Sequence, residues 1–180
     1  MELWEKTISR EKIFEGRVFT VAKDKSQLAD GSVADRELVL HAGGAGILPV
    51  DNDGNITLVR QYRCGVSRVM TGICAGKMEQ GEDPRACALR ELEEELGFIA
   101  GEVTSLGYLT PTPAYDSELT YIFLARDLTA TDAHLDEGEF LERVTMPLCE
   151  AVKMVMSGEL TDAKTQIAVL KAERIINGEA

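Results

Sequence analysis

The sequence predicts an α+β protein in which strand-like runs lie on both sides of one short helix and two further helices end the chain. Two apolar runs around the turn at residues 51–55 give a hairpin signal. Residues 84–96 have helical periodicity with capping residues at both ends, and the chain reads as helical from residue 147 onward. With 180 residues, the chain is long enough to bury one substantial core.

Composition excludes several classes of partner. The apolar and charged fractions, 44% and 28%, are ordinary for a globular protein, and no apolar run is long enough to cross a bilayer, so we expect no membrane partner. The net charge of −12 argues against nucleic acid, which binds through clustered Lys and Arg. The N-terminal residues lack an apolar signal region, and the four cysteines show no CxxC spacing. We therefore expect free thiols and a cytoplasmic location.

Residues 1–41 are expected to form a small N-terminal antiparallel sheet. Strand-like runs occur at 17–23, 24–28 and 34–40, and Asp30-Gly31 marks a hairpin turn between the last two. Such a sheet cannot bury enough surface by itself. It must therefore pack on the main domain, residues 42–180, or on a second subunit.

The main domain is expected to begin with a hairpin and to end with helices. Strands are predicted at 43–50, 56–62, 69–75, 103–109 and 119–126. The polar, acidic stretch 129–142 is interpreted as a mobile loop. Helices are predicted at 148–157 and 162–176, where they would cover the sheet.

The helix at residues 84–96 carries the side chains that point to chemistry. Asp83 suits the N-cap, and Gly97 suits the left-handed residue after the last turn. Three glutamates, Glu91, Glu94 and Glu95, fall within an arc of about 100° on the side opposite the apolar residues. Like charges at this spacing destabilise a helix. The arc is therefore either a solvated acidic face or a site for a hard cation such as Mg²⁺ or Mn²⁺.

The stretch around this helix resembles a known signature. From residue 76 to residue 98 it reads GKMEQGEDPRACALRELEEELGF. Its fixed glycines, charged residues and final apolar residue resemble the Nudix box at every defined position, and a pattern with so many fixed positions favours the metal interpretation. The resemblance implies the Nudix fold, a mixed β-sheet sandwiched between helices, and pyrophosphatase activity that depends on Mg²⁺, with Mn²⁺ as an alternative.

The resemblance also assigns roles in the reaction. It implies that the metal is held by the carbonyl of Ala75 and by the three helix glutamates, with Arg90 and Glu82 supporting them. The loop at 129–142 resembles the loop that supplies the general base in ADP-ribose pyrophosphatases. Alignment of that loop places Glu137 as the base and Glu139 as a further metal ligand, and it leaves Glu142 as another candidate for the base.

Resemblance to the ADP-ribose pyrophosphatases covers nearly the whole chain. Pro113 matches the proline that marks this subfamily beyond the box, and Glu118 follows it as in many relatives. The run LVRQYR implies that Arg60 or Arg63 contacts substrate, since guanidinium groups suit phosphate oxygens and stack on rings. The implied reaction converts a nucleotide sugar, most simply ADP-ribose, to AMP and ribose 5-phosphate in a homodimer.

Departures from the pattern leave alternatives open. Relatives commonly have Glu and Pro where this chain has Gly72 and Cys74, and Ala114 replaces the usual glycine after the proline. Another nucleotide sugar such as GDP-mannose is therefore an alternative substrate. A second alternative is a non-catalytic sensor of ADP-ribose or nucleotide, although this chain retains every glutamate of the box.

Overall fold

The computed structural model describes residues 2–178 and divides into two compact units. The first unit contains the chain up to Gly43 together with residues Thr110–Leu119. The second contains Gly44–Leu109 and the chain from Thr120 onward. Within residues 2–178, no helix is long and apolar enough to cross a membrane.

The first unit contains an antiparallel sheet of strands β1 (Glu5–Glu15), β2 (Phe19–Leu28) and β3 (Val33–His41), in that order. The segment 110–119 joins this unit through Val39, whose amide donates to the carbonyl of Tyr115 at 2.7 Å. The sequence interpretation missed β1 and divided β2 into two runs. Every residue of β1 is exposed, so the strand has no buried face and offers no apolar alternation to recognise.

The second unit contains two sheets. Its strands are β4 (Gly44–Pro49), β5 (Asn55–Arg63), β6 (Arg68–Gly72), β7 (Cys74–Lys77), β8 (Phe98–Leu109), β9 (Thr120–Ala130) and β10 (Leu141–Pro147). One sheet is antiparallel in the order β10-β5-β6. The other has the order β7-β4-β9-β8 and is mixed, since β4 and β9 are parallel. The predicted loop at 129–142 is shorter than expected because β9 and β10 extend into it.

Three helices cover these sheets: α1 (Pro84–Leu96), α2 (Leu148–Ser157) and α3 (Ala163–Ile176). The bounds of α1 and α2 agree with those predicted. Helix α3 begins one residue later than expected because Asp162 is its N-cap and accepts a hydrogen bond from the amide of Thr165 at 3.0 Å.

Successive side chains of the central strands point to opposite layers. Ile47 packs in a core with Leu92 and Leu96 of α1, whereas its neighbour Leu48 packs in a core with Val169 of α3. This alternation follows from the two-residue period of a strand. The sheets therefore lie between α1 on one side and α2 and α3 on the other, which confirms the predicted α+β sandwich.

The predicted strand at 69–75 is two strands, β6 and β7, which belong to different sheets. Between them the buried amide of Ile73 donates to Thr165 Oγ1 at 2.8 Å. A Cβ atom at Gly72 would lie 3.1 Å from the same oxygen, which is a tight contact. Glycine at position 72 thus lets the end of β6 approach the first turn of α3 closely.

Candidate active site

The fixed ends of α1 set the direction in which its glutamates point. Asp83 Oδ1 accepts hydrogen bonds from the amides of Arg85 and Ala86, both at 3.0 Å, and Pro84 begins the helix. At the other end Gly97 adopts φ of 65° and closes the helix with hydrogen bonds to Glu93 and Leu92.

The three glutamates of α1 differ in their environments. Glu94 keeps 38% of its side chain exposed and Glu91 keeps 13%, whereas Glu95 is only 2% exposed. Burial of a carboxylate is costly unless charge or hydrogen bonds compensate. The interpretation of this arc as a solvated acidic face is therefore wrong for Glu95.

Arg90 joins the acidic residues around the helix. Its Nη1 atom lies 2.8 Å from Glu91 Oε1 and 2.8 Å from Glu94 Oε2, and its Nε donates to Glu82 Oε1 at 3.1 Å. The hydrogen bond from Arg90 is the largest influence on Glu82 and holds the pKa of this carboxyl below its usual range. One guanidinium thus offsets the mutual repulsion of three carboxylates.

Glu95 combines burial with an unused oxygen. The pKa of Glu95 is raised to about 7, mainly by burial and also by the charges of Glu139 and Glu91, while interactions with the Cys74 thiol and the Ala75 amide oppose the shift. Within residues 2–178, no group hydrogen-bonds to Glu95 Oε2. A buried carboxylate oxygen without a donor is a natural position for a cation contact.

Gly76 provides the space that Glu91 occupies. A Cβ atom built at this position would overlap the Glu91 carboxylate. Burial raises the pKa of Glu91, as do the charges of Glu94 and Glu139, whereas Arg90 lowers it. The glycine at the start of the box is therefore required by the close approach of a carboxylate to the backbone of β7.

Glu139 lies near these glutamates although it comes from the 131–140 loop. It accepts a hydrogen bond from Gln61 Nε2 at 3.2 Å, and its charge raises the pKa values of both Glu91 and Glu95. Glu137 lies two residues away and is exposed, in a turn closed by the Glu139 amide and the Asp136 carbonyl. The loop thus places Glu139 near the helix glutamates and Glu137 at the surface.

The two arginines of β5 lie on opposite faces of the strand. Val59 faces the α1 layer, so Gln61 and Arg63 share that face by the two-residue period, whereas Arg60 shares the face of Leu58. Arg60 pairs with Glu142 of β10 at 2.8 Å. Of the two arginines, Arg63 lies on the side of the helix glutamates, and Glu142 lies on the other side with Arg60.

Pro113 and Glu118 belong to the first unit, within the segment 110–119. The amide of Glu118 donates to Asp116 Oδ1 at 2.9 Å, and an isolated bridge joins Asp116 to Val39 of β3. These contacts hold the segment that contains Pro113 and Glu118 against the sheet of that unit.

Sequence interpretation missed three residues of this region. Arg143 Nε donates to the carbonyl of Glu95 at 3.1 Å and so ties β10 to the last turn of α1. Gln61 orients Glu139, and Cys74 contacts Glu95. No short-range pattern marks these side chains, because each meets its partner only through the pairing of distant segments.

A divalent cation fits the donor set, although the carboxylates do not form a complete cage. Within residues 2–178, no group of three or more His, Cys, Asp or Glu side chains is arranged so that it could hold a metal ion. The Nη1 atom of Arg90 binds one oxygen each of Glu91 and Glu94, which fixes these carboxylates in an ion-pair network. The unpartnered Glu95 oxygen and the nearby charge of Glu139 nevertheless match the oxygen ligands that hard cations prefer.

Comparisons with known proteins agree with this geometry. The NUDIX domain family matches residues 40–166. The chain is 40% identical over 169 residues to the ADP-ribose pyrophosphatase of Bacillus subtilis (strain 168), covering 93% of this chain and 91% of that protein. It is 38% identical over 167 residues to the methanol dehydrogenase activator of Bacillus methanolicus, with coverage of 92% and 90%.

A solved structure shares the fold over its full length. The crystal structure of an ADP compounds hydrolase superposes with a TM-score of 0.83 at 25% sequence identity, and the match covers 100% of both chains. The family match spans more than half of the chain, and the relatives match nearly all of it. The chain has the Nudix fold and belongs to the Nudix hydrolase family.

Proposed function

We propose that this protein hydrolyses the pyrophosphate bond of a nucleoside diphosphate sugar, with ADP-ribose as substrate and AMP and ribose 5-phosphate as products. The observation that carries the proposal is the cluster of carboxylates around the buried Glu95. The charges of Glu91 and Glu139 act on Glu95 and raise its pKa. The substrate is supported by similarity to the Bacillus subtilis ADP-ribose pyrophosphatase over 93% of the chain.

The metal would be held by four carboxylates and one backbone carbonyl, those of Glu91, Glu94, Glu95 and Glu139 and that of Ala75. Their hard oxygen atoms suit Mg²⁺, with Mn²⁺ as an alternative. A divalent cation, when bound, supplies positive charge against the oxygens of the pyrophosphate. Arg90 keeps Glu91 and Glu94 together when they would otherwise repel, and Glu82 anchors the far side of its guanidinium.

The reaction adds water across a phosphorus anhydride. The oxygen of water bonds to one phosphorus, the bond from that phosphorus to the bridging oxygen breaks, and the other phosphate leaves with the bridging oxygen. Glu137 accepts the proton that water loses, a role that suits a carboxylate on an exposed turn beside Glu139. Arg63 binds phosphate or sugar oxygens from the same face of β5 as Gln61.

The segment 110–119 contributes to substrate binding through Pro113 and Glu118. Arg63 is the better candidate for a direct contact with substrate, because Arg60 already pairs with Glu142. Replacement of each arginine in turn by Lys tests which of the two contacts the substrate. An increase in KM for ADP-ribose in Arg63→Lys, with Arg60→Lys unchanged, is the expected result, and the reverse order would reassign the role.

GDP-mannose is the alternative substrate, because the chain departs from the usual pattern at Gly72 and Cys74. A panel of ADP-ribose, GDP-mannose and other nucleotide sugars, incubated with Mg²⁺ and resolved by chromatography, tests this choice. The proposal predicts the highest kcat/KM for ADP-ribose. Faster turnover of GDP-mannose would replace the substrate, and binding of ADP-ribose without cleavage would support the non-catalytic sensor.

We also propose that residues 1–41 form a dimerisation unit on a catalytic domain of residues 42–180. Apolar side chains stand exposed along its sheet at Ile8, Ile13, Phe14, Phe19 and Val33, and exposed apolar surface of this kind marks an association site. Light scattering should give the mass of a homodimer. A monomeric mass at micromolar concentration would contradict this assignment.

We also propose a cytoplasmic location, which the state of the cysteines supports. Cys64, Cys74, Cys87 and Cys149 are all free thiols, and free thiols suit a reducing compartment. Fractionation of cells that express the protein checks this location, and recovery outside the cytoplasm would contradict it.

A further inference from the structure

Arg143 is a residue of β10 that the mechanism above does not use. It pairs with Val59 of β5, which belongs to the hydrophobic core beside α1, and Leu141, two residues earlier on β10, packs against this core. By the two-residue period of a strand, the side chain of Arg143 lies on the same face. Its Nε atom donates a hydrogen bond to the carbonyl of Glu95 at 3.1 Å.

The end of α1 that Arg143 contacts has an unfavourable distribution of charge. The last turn of this helix carries Glu93, Glu94 and Glu95 and no basic residue. The carbonyls at a helix C-terminus carry partial negative charge, so cations stabilise this end and carboxylates destabilise it. Arg143 therefore supplies, from a distant strand, the cation that the sequence of the helix lacks.

The loop between β9 and β10 meets the same end of α1 through its backbone. The amide of Thr131 donates to the carbonyl of Gly97 at 2.8 Å, and the amide of His134 donates to the carbonyl of Glu94 at 2.9 Å. Arg143 makes a third contact on the other side of the loop. The loop is therefore attached to the helix both before and after its acidic turn.

This acidic turn contains the two loop residues of the proposed site, Glu137 and Glu139. Glu139 accepts a hydrogen bond from Gln61 Nε2 at 3.2 Å, and its amide donates to the carbonyl of Asp136 at 3.0 Å. The other glutamates of the site belong to α1. The separation between the two groups of carboxylates thus depends on how the loop is held against the helix.

We propose that Arg143 is a positioning residue that fixes the β10 end of the loop to the last turn of α1. It thereby sets the distance between the loop carboxylates and the helix carboxylates. This inference rests on the metal-dependent hydrolysis proposed above and deepens it. Arg143 acts through Glu137 and Glu139, and a charged donor suits this role because its hydrogen bonds are stronger than those of a neutral donor.

The test compares variants that keep or remove the charged donor. Arg143→Met retains a long side chain without charge or donor, and Arg143→Lys retains both. Arg126→Met is the matched control, since Arg126 pairs with Glu102 between β8 and β9. Four quantities are measured on the full chain: kcat and KM for ADP-ribose at saturating Mg²⁺, Mn²⁺ binding by electron paramagnetic resonance, and the thermal unfolding midpoint.

We expect Arg143→Met to lower kcat by about tenfold or more, because a small misplacement of catalytic groups has effects of this size. The KM for ADP-ribose should change little, since Arg143 does not contact the substrate. Binding of Mn²⁺ should weaken by about tenfold through the displacement of Glu139. Arg143→Lys should recover most of the lost kcat, because an ammonium group can still bond the Glu95 carbonyl and place a cation at the helix end.

The control and the unfolding midpoint separate positioning from stability. Arg126→Met should match the wild type in kcat and Mn²⁺ binding even if its unfolding midpoint falls. Wild-type kcat and Mn²⁺ affinity in Arg143→Met, at whatever midpoint, would overturn the inference and leave Arg143 as a stabiliser of the helix end. Equal losses of kcat in the Lys and Met variants would overturn it as well.

A second variant covers the case in which Arg143→Met does not fold. Arg143→Gln removes the charge, shortens the side chain and keeps it polar, and the same loss of kcat and Mn²⁺ affinity is expected. Failure of the wild type to bind Mn²⁺ or to cleave ADP-ribose would refute the proposed function and this inference with it. A normal wild type with no effect at Arg143 would refute this inference alone.

Discussion

Arg90 Nη1 lies 2.8 Å from Glu94 Oε2, one helical turn away on α1. The same nitrogen reaches Glu91 at 2.8 Å, and the guanidinium also reaches Glu82 at 3.1 Å. This fork holds three carboxylates that would otherwise repel one another. Its planar geometry is the property that a lysine at this position could not reproduce.

The first prediction is that Arg90→Lys weakens metal binding. The ammonium group cannot bond all three carboxylates, so they separate, and the Mg²⁺ concentration for half-maximal activity should rise by about tenfold or more. Arg85→Lys is the matched control, since Arg85 is exposed on the first turn of the same helix. An unchanged Mg²⁺ midpoint in Arg90→Lys would show that the fork is dispensable.

The second prediction concerns the space above Gly76. Gly76→Ala places a methyl group where the Glu91 carboxylate lies, so this carboxylate must move. We expect kcat/KM for ADP-ribose to fall by at least about tenfold, since displacement of a metal ligand has effects of this size. Gly65→Ala is the control, because a Cβ atom there meets nothing within 4 Å. Equal activity of the two variants would contradict the assignment.

The third prediction separates the candidates for the general base. Glu137→Gln should lower kcat by about 10²-fold or more, because general-base catalysis contributes at least this much. Its affinity for Mn²⁺ should change little. Glu142→Gln is the comparison, since Glu142 pairs with Arg60 in the β5-β10 ladder. Near-normal kcat in Glu137→Gln with loss in Glu142→Gln would move the role to Glu142.

The fourth prediction is a pH dependence of stability at the start of α3. Burial opposes ionisation of Asp162, but Lys164 at 2.6 Å and the hydrogen bonds from Thr165 prevail, so the pKa of Asp162 is lowered in the folded state. The stabilisation is therefore present above the unfolded pKa of about 3.9 and is lost as the pH falls through the lower folded value.

Urea unfolding of the wild type and Asp162→Asn checks this effect. At pH 7 the variant should lose on the order of 1 kcal/mol of unfolding free energy, as expected for a lost charged cap. The difference between the two proteins should shrink as the pH falls below about 4. Asp53→Asn, at an exposed turn residue, should show neither effect, and a constant difference down to pH 2 would refute the linkage.

Local signals predicted the helix of the site but not its surroundings. Asp83, Pro84 and Gly97 define the ends of α1 by capping chemistry that lies within the helix and its flanks. The burial of Glu95 could not be predicted in this way, because it depends on how α1 docks against β7. The placement of Glu139 likewise depends on Gln61 of a strand far away in sequence.

The errors in the predicted strands have the same origin. The run at 69–75 is continuous in sequence, yet it is divided at Ile73 because its amide bonds Thr165 of α3 rather than a neighbouring strand. β1 has no buried face and so lacks the alternation on which strand prediction depends. Hydrophobic periodicity indicates that one face of an element is buried. The division of a strand depends instead on a contact between distant segments, which periodicity does not indicate.

The most direct test of the central claim is ADP-ribose turnover after metal removal by EDTA, with Mg²⁺ then restored. The proposed mechanism predicts no turnover without metal and, with Mg²⁺, release of AMP and ribose 5-phosphate in equal amounts. Glu95→Gln should reduce this activity by about 10²-fold even though it removes only one charge. Turnover that persists in EDTA, or a Glu95→Gln variant with wild-type activity, would contradict the role given to the buried glutamate.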